Sequence, residues 1–152
     1  GHTTNVSRKD VANVKTITKK IAEKFLIEDL HKFKKSIKDL VTASLLQIEY
    51  NALVSWTYNL GAKSLKGSTL LKELNQENYD EIPRQILSWR KSCGKVLRGL
   101  QKRRIAEAML FLGMPFCTKD IDNLLVGTII GDIYKLHHES MKNKRQEEKI
   151  PR

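Results

Sequence analysis

Residues 51–62 read Asn51-Ala52-Leu53-Val54-Ser55-Trp56-Thr57-Tyr58-Asn59-Leu60-Gly61-Ala62, and this stretch decides the fold class. Ala52, Leu53, Val54, Trp56 and Leu60 leave no clean polar face, so the helix expected from Leu46 to Leu60 belongs at the buried centre of a domain. Gly61 supplies its stop.

Working outward toward the N-terminus, Ile17, Ile21, Ala22, Phe25, Leu26, Leu30, Phe33, Ile37, Leu40 and Val41 recur at steps of three and four. That is the period of an amphipathic helix, and Thr18 can cap it by accepting an orphan amide of the first turn. Lys19, Lys20, Lys24, Lys32, Lys34, Lys35 and Lys38 form its solvated stripe. Toward the C-terminus, Ser68 to Leu74 predicts a short helix capped by Ser68, and Asn75 to Asp80 is turn-rich. Pro83 fits only a first helical turn, so the next helix begins at Ile82 or Pro83 and reaches Trp89 or Arg90. Ser92 to Gly99, with two glycines, predicts a loop. A helix from Leu100 to Leu112 follows, ended by Gly113 and Pro115. Thr118 caps a last expected helix that runs to about Glu147, weakened by Gly127 and Gly131, before a basic tail that frays. No stretch shows strand alternation, and the expected class is all-α.

Composition limits the function. The 152 residues suit one domain, and 40% hydrophobic content can fill a core. Lys and Arg outnumber Asp and Glu by 28 to 17, a net charge of +11. Such a balance favours an anionic partner: nucleic acid, an anionic membrane surface or bacterial cell wall. The aromatics stand among apolar residues instead of alternating with basic ones, so a nucleic-acid stacking platform is not expected. The apolar run Leu124 to Gly131 is far short of the roughly 20 residues of a membrane span. The N-terminal residues show no basic segment leading into an apolar one, so no signal peptide is expected within them. Cys93 and Cys117 allow one disulfide at most and are expected to be free thiols, and His137-His138 has no third ligand at metal spacing. Neither metal nor cofactor is expected.

Four ordered stretches carry a family resemblance: Gly1-His2-Thr3; Ile17-Thr18-Lys19 with Ala22-Glu23 and Asp29-Leu30; residues 51–62 followed by Ser68-Thr69-Leu70-Leu71-Lys72-Glu73-Leu74-Asn75; and Ser88-Trp89 with Gly94-Lys95-Val96-Leu97-Arg98-Gly99-Leu100, Arg103-Arg104, Glu107 and Leu110-Phe111. Together, over about residues 1–113, they resemble the bacteriophage-type lysozymes of glycoside hydrolase family 24. A local departure is Cys93-Gly94, where the family has two glycines. The resemblance implies the helical lobe of a lysozyme-like α+β fold. Residues 1–17 are then a remnant of the N-terminal lobe, 18–113 the helical domain, and 114–152 a helical extension that the family does not explain.

The resemblance further implies an endo-acting muramidase cleaving between N-acetylmuramic acid and N-acetylglucosamine, with peptidoglycan as partner. It implies synthesis in the cytoplasm of a phage- or prophage-bearing bacterium before export to the wall. Glycoside cleavage needs one carboxylic acid to protonate the leaving oxygen and a second group to manage the attacking water. The family arranges these as Glu, eight residues, Asp, five residues, Thr, upstream of its glycine-histidine. No Glu in this sequence has an Asp nine positions later, so no residue here is expected to be catalytic. Either a longer chain supplies those groups or the protein is a lysozyme relative kept as a peptidoglycan-binding or regulatory module. In both cases the 152 residues by themselves are expected to be inactive.

By alignment of the motifs, Thr3, Tyr58 and Gln85 match positions that line the family's sugar cleft. Tyr58 has an equally good reading as core, and Gln85 as an ordinary solvated side chain. The resemblance also pairs His2 with Asp29. Trp56 and Trp89 are expected in the core, and Glu23 and Glu107, each among basic residues, are expected to be ion-paired and ionised. The basic run Lys95, Arg98, Lys102, Arg103, Arg104 is expected to gather positive charge facing an anionic wall polymer. A helical lobe alone would expose apolar sides of its first helix, and Ile121, Leu124, Leu125, Ile129, Ile133 and Leu136 of the C-terminal segment are expected to cover them, within the chain or by self-association.

Overall fold

The computed structural model describes residues 17–114. Its elements in chain order are α1 (Lys19–Leu40), α2 (Gln47–Leu60), α3 (Ala62–Lys66), α4 (Thr69–Asn75), a 3-10 turn (Tyr79–Glu81), α5 (Ile82–Ser88), β1 (Lys91–Ser92), β2 (Lys95–Val96) and α6 (Arg98–Phe111). Thr3, His2, Cys117, His137-His138 and the expected C-terminal helix lie outside the described residues.

The first helix begins as its sequence dictates, with the Thr18 hydroxyl accepting from the Ile21 amide at 3.4 Å. Only its C-terminal half joins the core, through Leu30, Ile37, Leu40 and Val41. Ile17, Ile21, Leu26 and Ile27 stay exposed. The end of α1 is tied down by one side chain: Asn75 donates to the Leu40 carbonyl at 3.0 Å and accepts from the Thr42 amide at 2.9 Å. These are groups a helix end otherwise leaves unsatisfied.

The central position expected of α2 is observed, since Ala52, Leu53, Trp56 and Thr57 are completely buried. Leu46 has no oxygen with which to cap this helix. Instead the Glu49 carboxylate reaches back to the Leu46 amide at 2.9 Å, the carboxylate half of a capping box. Gly61 closes α2 at φ +88° and leads directly into α3, a single turn that the sequence reading passed over. Five residues are too few to show a period, yet α3 buries Leu65 completely. Ser68 joins α3 to α4: its hydroxyl donates to the Leu65 carbonyl at 2.7 Å and accepts from the Leu71 amide at 3.1 Å.

Two helix ends share one geometry. At the end of α6, the Gly113 amide donates to the Leu110 carbonyl and the Met114 amide to that of Met109, a Schellman motif with Gly113 at φ +68°. At the end of α4 the same pair of bonds runs from Glu77 to Leu74 and from Asn78 to Glu73, but the left-handed position is held by Glu77 at φ 60°. No glycine announces that stop in the sequence.

The expected loop from Ser92 to Gly99 is instead a minimal hairpin, and α6 starts earlier than Leu100. Lys91 pairs with Val96 and Ser92 with Lys95, and the Leu97 amide donates to the Arg90 carbonyl at 3.1 Å. Cys93 and Gly94 both have positive φ, 49° and 78°, the pattern of a type I′ turn whose twist matches that of two antiparallel strands. Alternation could not reveal strands of two residues each.

Left-handed backbone costs a residue with a Cβ roughly 1–2 kcal/mol, part of which glycine returns through its freer unfolded chain. Glu77→Gly and Cys93→Gly are therefore each expected to raise stability, by about 0.5–1 kcal/mol in urea unfolding. A loss of stability in either would contradict the assigned turn geometry.

Candidate functional site

Helix α6 packs against both α2 and α5. At the α2 contact lies a polar cluster whose α6 members Arg104 and Glu107 are buried and whose α2 members reach the surface. Glu107 is 3% exposed and Arg104 not at all. Glu107 Oε1 accepts from the Ser55 hydroxyl at 2.7 Å, from Arg103 Nε at 3.1 Å and from an Arg104 guanidinium nitrogen at 3.2 Å. That same Arg104 nitrogen donates to Asn59 Oδ1 at 2.8 Å. Arg104 Nε also stands 2.9 Å from Glu107 Oε2, a contact of charge whose angle does not make it an aligned hydrogen bond. Ser55 and Asn59 are one turn apart on α2, and Arg104 and Glu107 one turn apart on α6, so two helical faces meet as matched polar pairs.

Burial sets the electrostatics here. It pushes the Glu107 carboxyl above its ordinary value, against the opposing charge of Arg104, the hydrogen bonds from Ser55 and Arg103, and the charge of Arg103. Burial likewise lowers the Arg104 guanidinium, with the Glu107 charge working against it and Arg103 adding to it. Ion pairing of Glu107 is thus as expected from sequence. Its partners pull the carboxyl toward ionisation, as expected, and the burial that opposes them was not foreseen from the sequence. Glu23 makes the simpler contact, an exposed pairing with Lys19 at 3.7 Å.

This cluster also corrects the reading of the basic run. Arg104 faces inward, and Arg103 lies along Glu107. Lys95 and Arg98 of the expected run are exposed, and Arg90 and Lys91 join them around the hairpin. The first turn of α6 carries no acid, so the positive end of its macrodipole adds to that charge.

Of the expected cleft residues, Tyr58 is half-buried on α2, with its ring edge-on to Phe33 of α1 at 5.6 Å and 83°. Gln85 is half-buried on α5, where its carbonyl accepts from the Ser88 hydroxyl at 2.7 Å. The two side chains stand on separate helices, both packed on α6. Trp56 and Trp89 meet edge to face at 5.2 Å inside the core, as expected. Asp29, the expected partner of His2, is largely buried and lies 3.6 Å from Lys32. Cys93 is a free, exposed thiol. Among the described residues no cluster of His, Cys, Asp or Glu could hold a metal ion, and no helix is long and apolar enough to cross a membrane. Sequence reasoning missed Ser55 and Asn59 as partners of α6, although their four-residue spacing beside Trp56 was the available signal.

A helical lobe with a buried central helix, capped helix ends and a small hairpin before its last described helix is the architecture of the helical half of a lysozyme. The comparisons agree. The phage lysozyme family model matches residues 1–107, and the chain belongs to that family. It is 42% identical over 103 residues to the endolysin of Bacillus phage B103, covering 68% of this chain and 39% of that one. To the endolysin of Salmonella phage P22 it is 39% identical over 112 residues, covering 74% and 76%. Among solved structures, the muramidase domain of SpmX from Asticaccaulis excentricus superposes with a TM-score of 0.59 at 30% identity, over 63% of this chain and 68% of that one. The chain thus spans well under half of the B103 endolysin's length.

Removing one partner of a buried ion pair costs about 3–5 kcal/mol, and Glu107→Ala is expected to lose that much stability. Because folding raises the Glu107 pKa, its contribution is complete below the ordinary value and is lost as pH rises through the raised one. Chemical denaturation across pH, on the native chain and Glu107→Gln, checks the sign. The native chain should lose stability relative to the variant on going up through that window, and the opposite slope would contradict the assignment.

Proposed function

We propose that the protein acts on peptidoglycan as an endo-N-acetylmuramidase, with this chain supplying the helical wall of the substrate cleft. The observation that carries the reading is the family match over residues 1–107, joined to the lobe formed by α1 to α6. In that role Tyr58 and Gln85 offer a ring and an amide to the sugar chain, a pairing of stacking and directed hydrogen bonds suited to a polyol. Thr3 belongs to the same set by alignment. The acid and its partners come from residues other than these 152, because none of the ten glutamates is followed by an aspartate at the family's spacing. The 152-residue chain is then a binder of peptidoglycan and not a hydrolase.

Two measurements test this. Purified 152-residue chain should leave the turbidity of a peptidoglycan suspension unchanged while co-sedimenting with purified sacculi. Tyr58→Ala and Gln85→Ala should each weaken that co-sedimentation by about three- to tenfold, the loss of a contact of about 1 kcal/mol. Clear lysis would overturn the inactive reading, and unchanged co-sedimentation of both variants would remove these residues from the cleft.

The same missing spacing favours a second reading, a lysozyme-derived binding or regulatory module. The reading frame upstream of Gly1 separates the two: a Glu, Asp and Thr at the family's spacing assigns the enzyme, and their absence assigns the module. Self-association belongs to either reading. The exposed Ile17, Ile21, Leu26 and Ile27 of α1 support it, with residues 121–136 as the covering segment. Sedimentation equilibrium should give a dimer that Leu124→Asp and Ile133→Asp dissociate, and a monomer at all concentrations would refute it.

A further inference from the structure

We propose that the hairpin formed by residues 90–98 is a contact site for an anionic lipid bilayer. Three observations combine. First, the sequence from Ile82 to Ala106 contains no acidic residue, while Arg90, Lys91, Lys95 and Arg98 cluster within it around the turn. Second, every residue from Arg90 to Arg98 is exposed. Third, Val96 and Leu97 stand 47% and 46% exposed between Lys95 and Arg98.

Pairing in the hairpin distributes these side chains in a particular way. Cross-strand partners share a face, so Lys91 and Val96 lie on one side of the ribbon and Ser92 and Lys95 on the other. Leu97, extended at φ −103° and ψ 125°, continues the alternation on the Lys95 side. Each face therefore presents one ammonium and one apolar side chain. Such a ribbon suits entry between headgroups, with the lysines on phosphates and the apolar pair at the acyl boundary, the two-part attraction of interfacial anchors. A soluble polyanion would need the charges alone and would leave Val96 and Leu97 in water.

The first half of α1 is a rival surface, since it also exposes apolar residues among lysines. There Lys19 and Lys24 lie within 3.7 and 3.9 Å of Glu23 and Glu28, so much of its charge is already compensated. At the hairpin Arg90, Lys91 and Lys95 stand exposed, in a stretch with no acidic residue from Ile82 to Ala106.

The test uses the full chain and vesicles of phosphatidylcholine with and without phosphatidylglycerol, at physiological ionic strength. Co-sedimentation is expected only with the anionic vesicles. Lys91→Gln/Lys95→Gln should weaken it by roughly tenfold or more, from the loss of two cations near the surface. Val96→Ser/Leu97→Ser should weaken it severalfold. A polarity-sensitive fluorophore on Cys93, in a Cys117→Ser background, reports from an otherwise native hairpin and should shift to the blue only with anionic vesicles. Three results would overturn the proposal: no binding to anionic vesicles, an unshifted probe on bound protein, or Val96→Ser/Leu97→Ser binding like the native chain while soluble polyphosphate competes fully. The last would reassign the hairpin to an anionic polymer.

Discussion

The contact between Arg104 and Glu107 on α6 and Ser55 and Asn59 on α2 is the constraint on which the described lobe depends. Apolar packing of α6 on α2 is close but carries no directional requirement of its own. A guanidinium and a carboxylate taken out of water carry one. They must find each other and their helix partners, or remain as uncompensated buried charge. The cluster therefore fixes both the rotation of α6 and its height along α2. Because α6 also packs on α5, the cluster bears on the relation of Gln85 to Tyr58 as well.

The same constraint organises the surface. With Arg103 and Arg104 occupied by Glu107, the positive charge left for solvent moves from the body of α6 to the hairpin before it. Charge that looks continuous in the sequence is thus divided between a structural use and a surface use. A count of basic residues cannot make that division, since it depends on which side of a helix each one occupies.

Long periodic elements and their punctuation could be read directly. Thr18, Gly61, Ser68 and Gly113 do at their helix ends what their chemistry predicts, and the lack of a clean polar face placed α2 at the centre. What escaped was short or depended on partners distant in sequence. Helix α3 is one turn long, β1 and β2 have no period to detect, and Glu77 occupies a left-handed position in which glycine is the usual signal. Glu107 was read as ion-paired from its basic neighbours on α6, but its burial follows from α2, some fifty residues earlier. For the candidate cleft, Tyr58 and Gln85 came from the family resemblance and not from periodicity, because an aromatic ring on a buried helix carries no mark separating a sugar-facing role from a core one.

A double-mutant cycle between Ser55→Ala on α2 and Glu107→Gln on α6, read as unfolding free energy at neutral pH, tests whether this cluster sets the register of α6. A part-buried hydrogen bond to an ionisable partner predicts a coupling of about 1–3 kcal/mol. Effects that add to within about 0.5 kcal/mol would contradict the account, leaving α6 held by apolar packing and the Arg104–Glu107 pair without a role in the register of the lobe.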